Sequence, residues 1–115
     1  MILVDLATAT ICFLNQCYPV LAGVDTPTGQ FRLEQVRTQE AGYGGDVILF
    51  KETQNSVFAI HRVWLLNPNQ NRLQRLTSGD VSARISTTLG CINVMPDVYE
   101  KLVECCNNQL MIVSG

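Results

Sequence analysis

Short runs of β-branched and aliphatic residues, broken at close intervals by turn chemistry, constrain this chain more than any other feature. ILVDL, TICFL, CYPVLA, FRLEQVR, DVILF and VFAIH succeed one another through the first half of the sequence, each of strand length and too short for a buried helix. FRLEQV alternates apolar and polar residues, the period of a sheet with one wet face. LNQC, between two such runs, reads as a hairpin turn. AGYGGD demands the backbone freedom of glycine and is a loop; NPNQN at 67–71 and TSGD at Thr77–Asp80 are further loops. One segment is different. Pro96 suits a first helical turn and Asp97 the positive end of the dipole. DVYEKLVECC then sets Val98, Leu102 and Cys105 at the i, i+4, i+7 spacing of one helical face. Asn107 and Asn108 end it, and LMIV reads as a last strand. The expectation is a mostly-β domain spanning residues 1–115, with one helix at about 96–106.

Composition narrows the function classes. The chain has 115 residues, 47% of them hydrophobic and 16% charged, which is enough apolar matter for one core and argues against disorder. A net charge of −2, with basic residues scattered from Arg32 to Lys101, gives no electrostatic footprint for nucleic acid. No apolar run reaches the ~20 residues of a membrane span. The opening MILVDLATATICFL is apolar, but it carries Asp5 and no positive segment, so it does not read as a signal peptide.

Chemistry narrows to two side chains. The five cysteines are Cys12, Cys17, Cys91, Cys105 and Cys106, and an odd count leaves at least one thiol unpaired within the chain. No zinc-type spacing is present, and one histidine builds no His-rich site. Cys12, Cys105 and Cys106 read as small buried hydrophobes; a Cys12–Cys17 bridge across a hairpin is the less favoured alternative. Cys91 stands in TTLGCINV, after Gly90, whose missing side chain lets a substrate carbonyl approach the backbone. The amides around Gly90 and Cys91 suit an oxyanion. His61, the only histidine, ends VFAIH, where a strand delivers it to the rim of a sheet. A thiol attacks well only when ionised, and imidazole is the usual base for that step. From these residues alone, a base and a satisfied core histidine weigh about equally for His61.

DTPTGQF, from Asp25 to Phe31, is by itself a rigid turn entering a strand. Taken in order with ILVDLATATICFLNQ, AIHRVW, TTLGCINV and the closing helix with NNQLMIVSG, it resembles the L,D-transpeptidase (YkuD-type) catalytic domain, as a minimal and divergent member. DTPTGQFRL is similar to that family's TPxGxF segment, AIHRVW to its IHG segment, and TTLGCINV to its cysteine motif. The resemblance implies a YkuD-type β-sandwich or barrel-like sheet with the C-terminal helix and final strand already read. It also implies Cys91 as acylated nucleophile and His61 as base, acting on peptidoglycan stem peptides without metal or cofactor. Products would be cross-links, trimmed stems or stems with an exchanged D-amino acid, depending on what resolves the thioester. An extracytoplasmic or periplasmic location follows by implication, with the export route open.

The departures are specific. Leu89 occupies the usual place of a histidine, and Arg62 that of a glycine or serine. The Arg62 carbonyl remains able to orient the imidazole, while its side chain either narrows the entrance or binds a stem carboxylate. Asn93 follows a known variant of the motif. Thirty positions separate His61 from Cys91, and the extra length falls in LNPNQNRLQRLTSGD, as a longer hairpin that forms a lid or a partner surface. Thr88 or Ser86 is a candidate support for the cysteine loop, with local backbone satisfaction as the plainer role. Tyr43 is a candidate donor over the site, with a core-packed ring as the plainer role. Beside an acyltransferase stand a toxin or effector domain, with an inhibitor or immunity protein as partner, and a silent binding module on the same fold. A monomer is the default state.

Overall fold

The computed structural model describes residues 1–36, 47–63, 74, 76, 77, 79–88, 90–106 and 108–114. The glycine-rich segment with Tyr43, residues 64–73 of the connection after His61 (the 67–71 loop among them), Leu89 and Asn107 lie outside the described residues. Nine strands are described: β1 (Ile2–Asp5), β2 (Thr10–Phe13), β3 (Gln16–Pro19), β4 (Gly29–Arg32), β5 (Glu34–Val36), β6 (Val47–Glu52), β7 (Val57–Arg62), β8 (Ile92–Val94) and β9 (Gln109–Val113). They form a five-stranded sheet in the order β3-β2-β1-β9-β4 and a four-stranded sheet in the order β5-β6-β7-β8. Each sheet contains one parallel pair, β1 with β9 and β7 with β8, and is otherwise antiparallel.

The core lies between the sheets and under the helix. Alternation along β1 buries Ile2 and Val4, β2 adds Ile11 and Phe13, and β9 adds Leu110 and Ile112. From the other side come Ile48 and Phe50 of β6, Ile60 of β7, and Ile92 and Val94 of β8. β8 is buried at all three of its positions, as expected for a short apolar strand covered on both faces. The longer helix, α2 (Pro96–Cys105), starts on Pro96 with Asp97 in its first turn and packs Val98, Tyr99 and Leu102 inward. The apolar face read from the sequence is thus corrected at one position. Tyr99 takes the buried place given to Cys105, which is exposed. The helix ends where the Cys106 amide bonds the Leu102 carbonyl.

Three further findings differ from the sequence reading. FRLEQV is not one strand: β4 belongs to the five-stranded sheet and β5 to the four-stranded sheet. The chain changes sheets at Leu33, whose amide bonds the Asn108 carbonyl. A short helix, α1 (Val81–Ile85), is also present, capped by the Asp80 carboxylate accepting from the Ser82 amide. It lies inside the connection from β7 to β8, and a parallel pair needs such a crossover.

The cysteines require the third correction. Cys12 pairs with Cys17 and Cys105 with Cys106, so these four are disulfides rather than buried thiols, and Cys91 is the one cysteine outside a disulfide. The register explains the first bridge, because Cys12 and Cys17 are directly opposed on β2 and β3. The turn between them holds Leu14 and Asn15 at positive φ, as a two-residue turn matched to strand twist demands. Closing a loop this short still removes disorder from the unfolded chain. Replacing both Cys12 and Cys17 with serine is expected to cost about 2 kcal/mol, read as a lowered denaturant midpoint.

Candidate active site

The parallel pairing of β7 and β8 assembles the site. Ile60 stands opposite Ile92 and His61 opposite Asn93, so the side chains of His61 and Asn93 leave the same face of the sheet. Cys91 precedes β8 by one residue, and the strand period turns it toward that face as well. His61 and Asn93, 32 positions apart, become neighbours because the crossover returns the chain beside the strand it left.

His61 is 2% exposed and Asn93 fully buried. The imidazole Nδ1 lies 2.8 Å from the Arg62 carbonyl oxygen. A carbonyl only accepts, so Nδ1 carries the proton and the neutral ring presents its lone pair at Nε2. The Asn93 side-chain Nδ2 lies 3.3 Å from that Nε2, which fixes the amide with its NH2 group toward the ring. Cys91 is half-buried, and its Sγ is directed to the Val57 carbonyl at 3.7 Å, at the start of β7.

The cysteine loop is tied down from three directions. The Thr88 hydroxyl donates to the Cys91 carbonyl at 2.7 Å and accepts from the Gly90 amide at 3.1 Å. The Gly90 amide is therefore already committed, and service to an oxyanion requires that bond to open. Ser86 does not reach the loop, because its hydroxyl donates back to Ser82 at the end of α1. The third tie comes from far away in sequence. Thr26 is buried, accepts from the Gly23 amide at 3.0 Å, and donates to the Gly90 carbonyl at 2.9 Å. Gly23 itself bridges to Thr88, while the amides of Thr87 and Thr88 both bond the Ala22 carbonyl. DTPTGQF is thus more than a turn entering a strand: its first threonine is the clasp on the cysteine loop. Thr26→Val keeps the shape but leaves the buried Gly23 amide without its acceptor. The expected loss is about 2 kcal/mol, measured by chemical unfolding.

The Arg62 side chain reaches the helix. Its guanidinium pairs with Glu100 of α2 at 2.6 Å and lies over the Tyr99 ring at 4.1 Å. The residue thereby joins β7 to the helix, while its carbonyl holds the imidazole as the sequence reading allowed.

Of the residues singled out from sequence, Thr88, Gly90 and Cys91 share one hydrogen-bonded loop, His61 and Arg62 close the adjacent strand β7, and Tyr43 lies outside the described residues. The residues missed were Thr26, Gly23, Asn93 and Val57. Thr26 offered one signal, a threonine inside a rigid turn, but its partner is 64 positions away. Among the described residues no cluster of His, Cys, Asp and Glu could hold a metal ion, and no helix is long and apolar enough to cross a membrane.

The chain matches no protein-family model, and no curated protein matches it significantly. Solved structures are similar to it along nearly its whole length. Bd1075 of Bdellovibrio bacteriovorus has 18% identity and a TM-score of 0.61, over 98% of this chain and 47% of that one. The L,D-transpeptidase (Yku) of Stackebrandtia nassauensis has 13% identity and a TM-score of 0.53, over 99% and 55%. The L,D-transpeptidase of Mycobacterium smegmatis has 14% identity and a TM-score of 0.55, over 98% and 58%. This chain thus spans about half the length of the proteins it matches. At these identities the likeness is one of fold, and the fold of this chain is the YkuD-like fold of those L,D-transpeptidases.

Proposed function

We propose that residues 1–115 form a cysteine acyltransferase domain acting on peptidoglycan stem peptides, with Cys91 as nucleophile and His61 as base. One observation carries the reading above all: the single cysteine outside a disulfide stands beside the strand that bears the single histidine. The fold shared with two L,D-transpeptidases supports the substrate class. The two disulfides support an oxidising compartment, and hence action outside the cytoplasm.

In this reading His61 Nε2 takes the Sγ proton as sulfur attacks the carbonyl of the third stem residue. The tetrahedral intermediate then collapses, the C–N bond to the terminal D-alanine breaks, and Nε2 returns the proton to the departing amine. A thioester on Cys91 remains, resolved by a stem amine, a D-amino acid or water. In this reading Sγ leaves the Val57 carbonyl for Nε2 when substrate binds.

The test is incubation with purified disaccharide-tetrapeptide and mass spectrometry of both products and protein. Dimers establish transpeptidation, and tripeptide with free D-alanine establishes carboxypeptidation. Incorporation of an added D-amino acid establishes exchange. A protein that binds the stem and never carries its acyl mass sinks the enzyme reading and leaves a binding module. Where an effector role holds, an inhibitor or immunity protein is a further partner to seek.

A further inference from the structure

The hydrogen bonds around His61 place an asparagine, rather than a carboxylate, against the nitrogen that must accept a proton. We propose that Asn93 is a positioning residue that holds His61 Nε2 in its lone-pair form, so that the resting site keeps its proton on the Cys91 thiol. The imidazole then acts as a base only when a bound substrate brings Sγ to Nε2. This rests on the acyl-transfer reading for its purpose but not for its geometry.

The argument runs from donors and acceptors. The Arg62 carbonyl fixes the proton on Nδ1, and the Asn93 NH2 group donates toward Nε2. A donor aimed at a lone pair stabilises the neutral ring and opposes its protonation. Imidazolium would set an N–H against an N–H, and the amide must turn its Oδ1 inward before that charge is tolerated. Asn93 has little freedom to move away. It is fully buried, its backbone bonds Leu21 through both its amide and its carbonyl, and it is in direct register with His61.

Among the described residues, the charges near this strand are paired or exposed. On its own strand Arg62 is paired with Glu100 from α2, so the two charges offset. On β6, the register that sets Ile48 opposite Ile60 brings buried, apolar Val47 beside His61. Asp25 lies in the exposed turn beside Gly90, and the thiol of Cys91 is turned to the Val57 carbonyl. During turnover the proton leaves Sγ for Nε2 as the C–S bond forms. The Asn93 amide rotates to accept from the new N–H, and the proton later leaves with the amine. Asn93 thus sets the order of events: neutral thiol and imidazole at rest, ion pair only in the transition state.

The sole histidine makes the test direct, because imidazole resonances in the intact chain belong to one residue. Nitrogen-detected NMR of the wild type at neutral pH is expected to show Nδ1 protonated and Nε2 bare. In Asn93→Ala the midpoint of the His61 titration is expected to rise by ~0.5–1 pH unit, the worth of one neutral hydrogen bond. Asn93→Asp, which offers only acceptors, raises it further. A wild-type Nε2–H signal overturns the proposal even if neither variant folds. So does an unchanged or lowered midpoint in a folded Asn93→Ala. Failure of the acyl-transfer reading would appear in the stem assay and leave these titrations as they are.

Discussion

Cys91→Ala is expected to abolish formation of the acyl-protein and of every stem product, with a loss of at least ~10³-fold, while the chain stays folded. The two halves of that result have separate causes. In the proposed reaction only the thiol forms the covalent intermediate, and the other four cysteines, held as disulfides, have no thiol to replace it. Stability survives because Cys91 is half-buried, so alanine removes one polarisable atom from the edge of the core and not from its centre. The backbone bonds of the loop remain, since Thr88 binds the Cys91 carbonyl and not its side chain. Circular dichroism and thermal unfolding check the fold, and mass spectrometry of the protein after incubation with tetrapeptide checks the chemistry. A Cys91→Ala protein that still releases D-alanine would remove Cys91 from the mechanism.

The largest expected effect on stability lies at a glycine that touches no substrate. A Cβ on Gly23 would stand 2.0 Å from the Thr88 carbonyl oxygen and 2.6 Å from its carbon. Both are backbone atoms in a segment that cannot retreat, because Thr87 and Thr88 bond Ala22 and Thr26 bonds Gly90. Gly23→Ala is therefore expected to cost about 3 kcal/mol, a fall in midpoint on the order of 10 °C. It should also displace the Cys91 loop, so stem turnover falls even at temperatures where the chain is folded. Two other glycines calibrate the measurement. A Cβ on Gly90 meets the edge of the Phe58 ring, which is able to turn aside. One on Gly79 meets nothing within 4 Å, so Gly79→Ala should leave the midpoint nearly unchanged. If Gly23→Ala is as stable as Gly79→Ala, the loop is not clamped as described.

Local chemistry was legible in the sequence where each answer depends on neighbours a few positions apart. ILVDL and TICFL were legible as strands, and their alternation buries Ile2, Val4, Ile11 and Phe13. Pro96 and Asp97 marked the start of α2, and LNQC marked the turn that the structure shows with two positive φ values. The proposal of Cys91 and His61 rests on residue type and motif order, which the sequence carries whatever the packing. FRLEQV shows the limit of such reading, because its alternation continues smoothly across the point where the chain leaves one sheet for the other.

What only the tertiary structure decided were the contacts between distant segments. Which cysteines pair depends on strand register, so the Cys12–Cys17 bridge could not be chosen from spacing alone. The Thr26 clasp on Gly90 and the Asn93 donor at His61 join residues 64 and 32 positions apart. A side chain's type fixes what it is able to donate or accept. Its partner is fixed only when folding removes water and leaves one neighbour within reach.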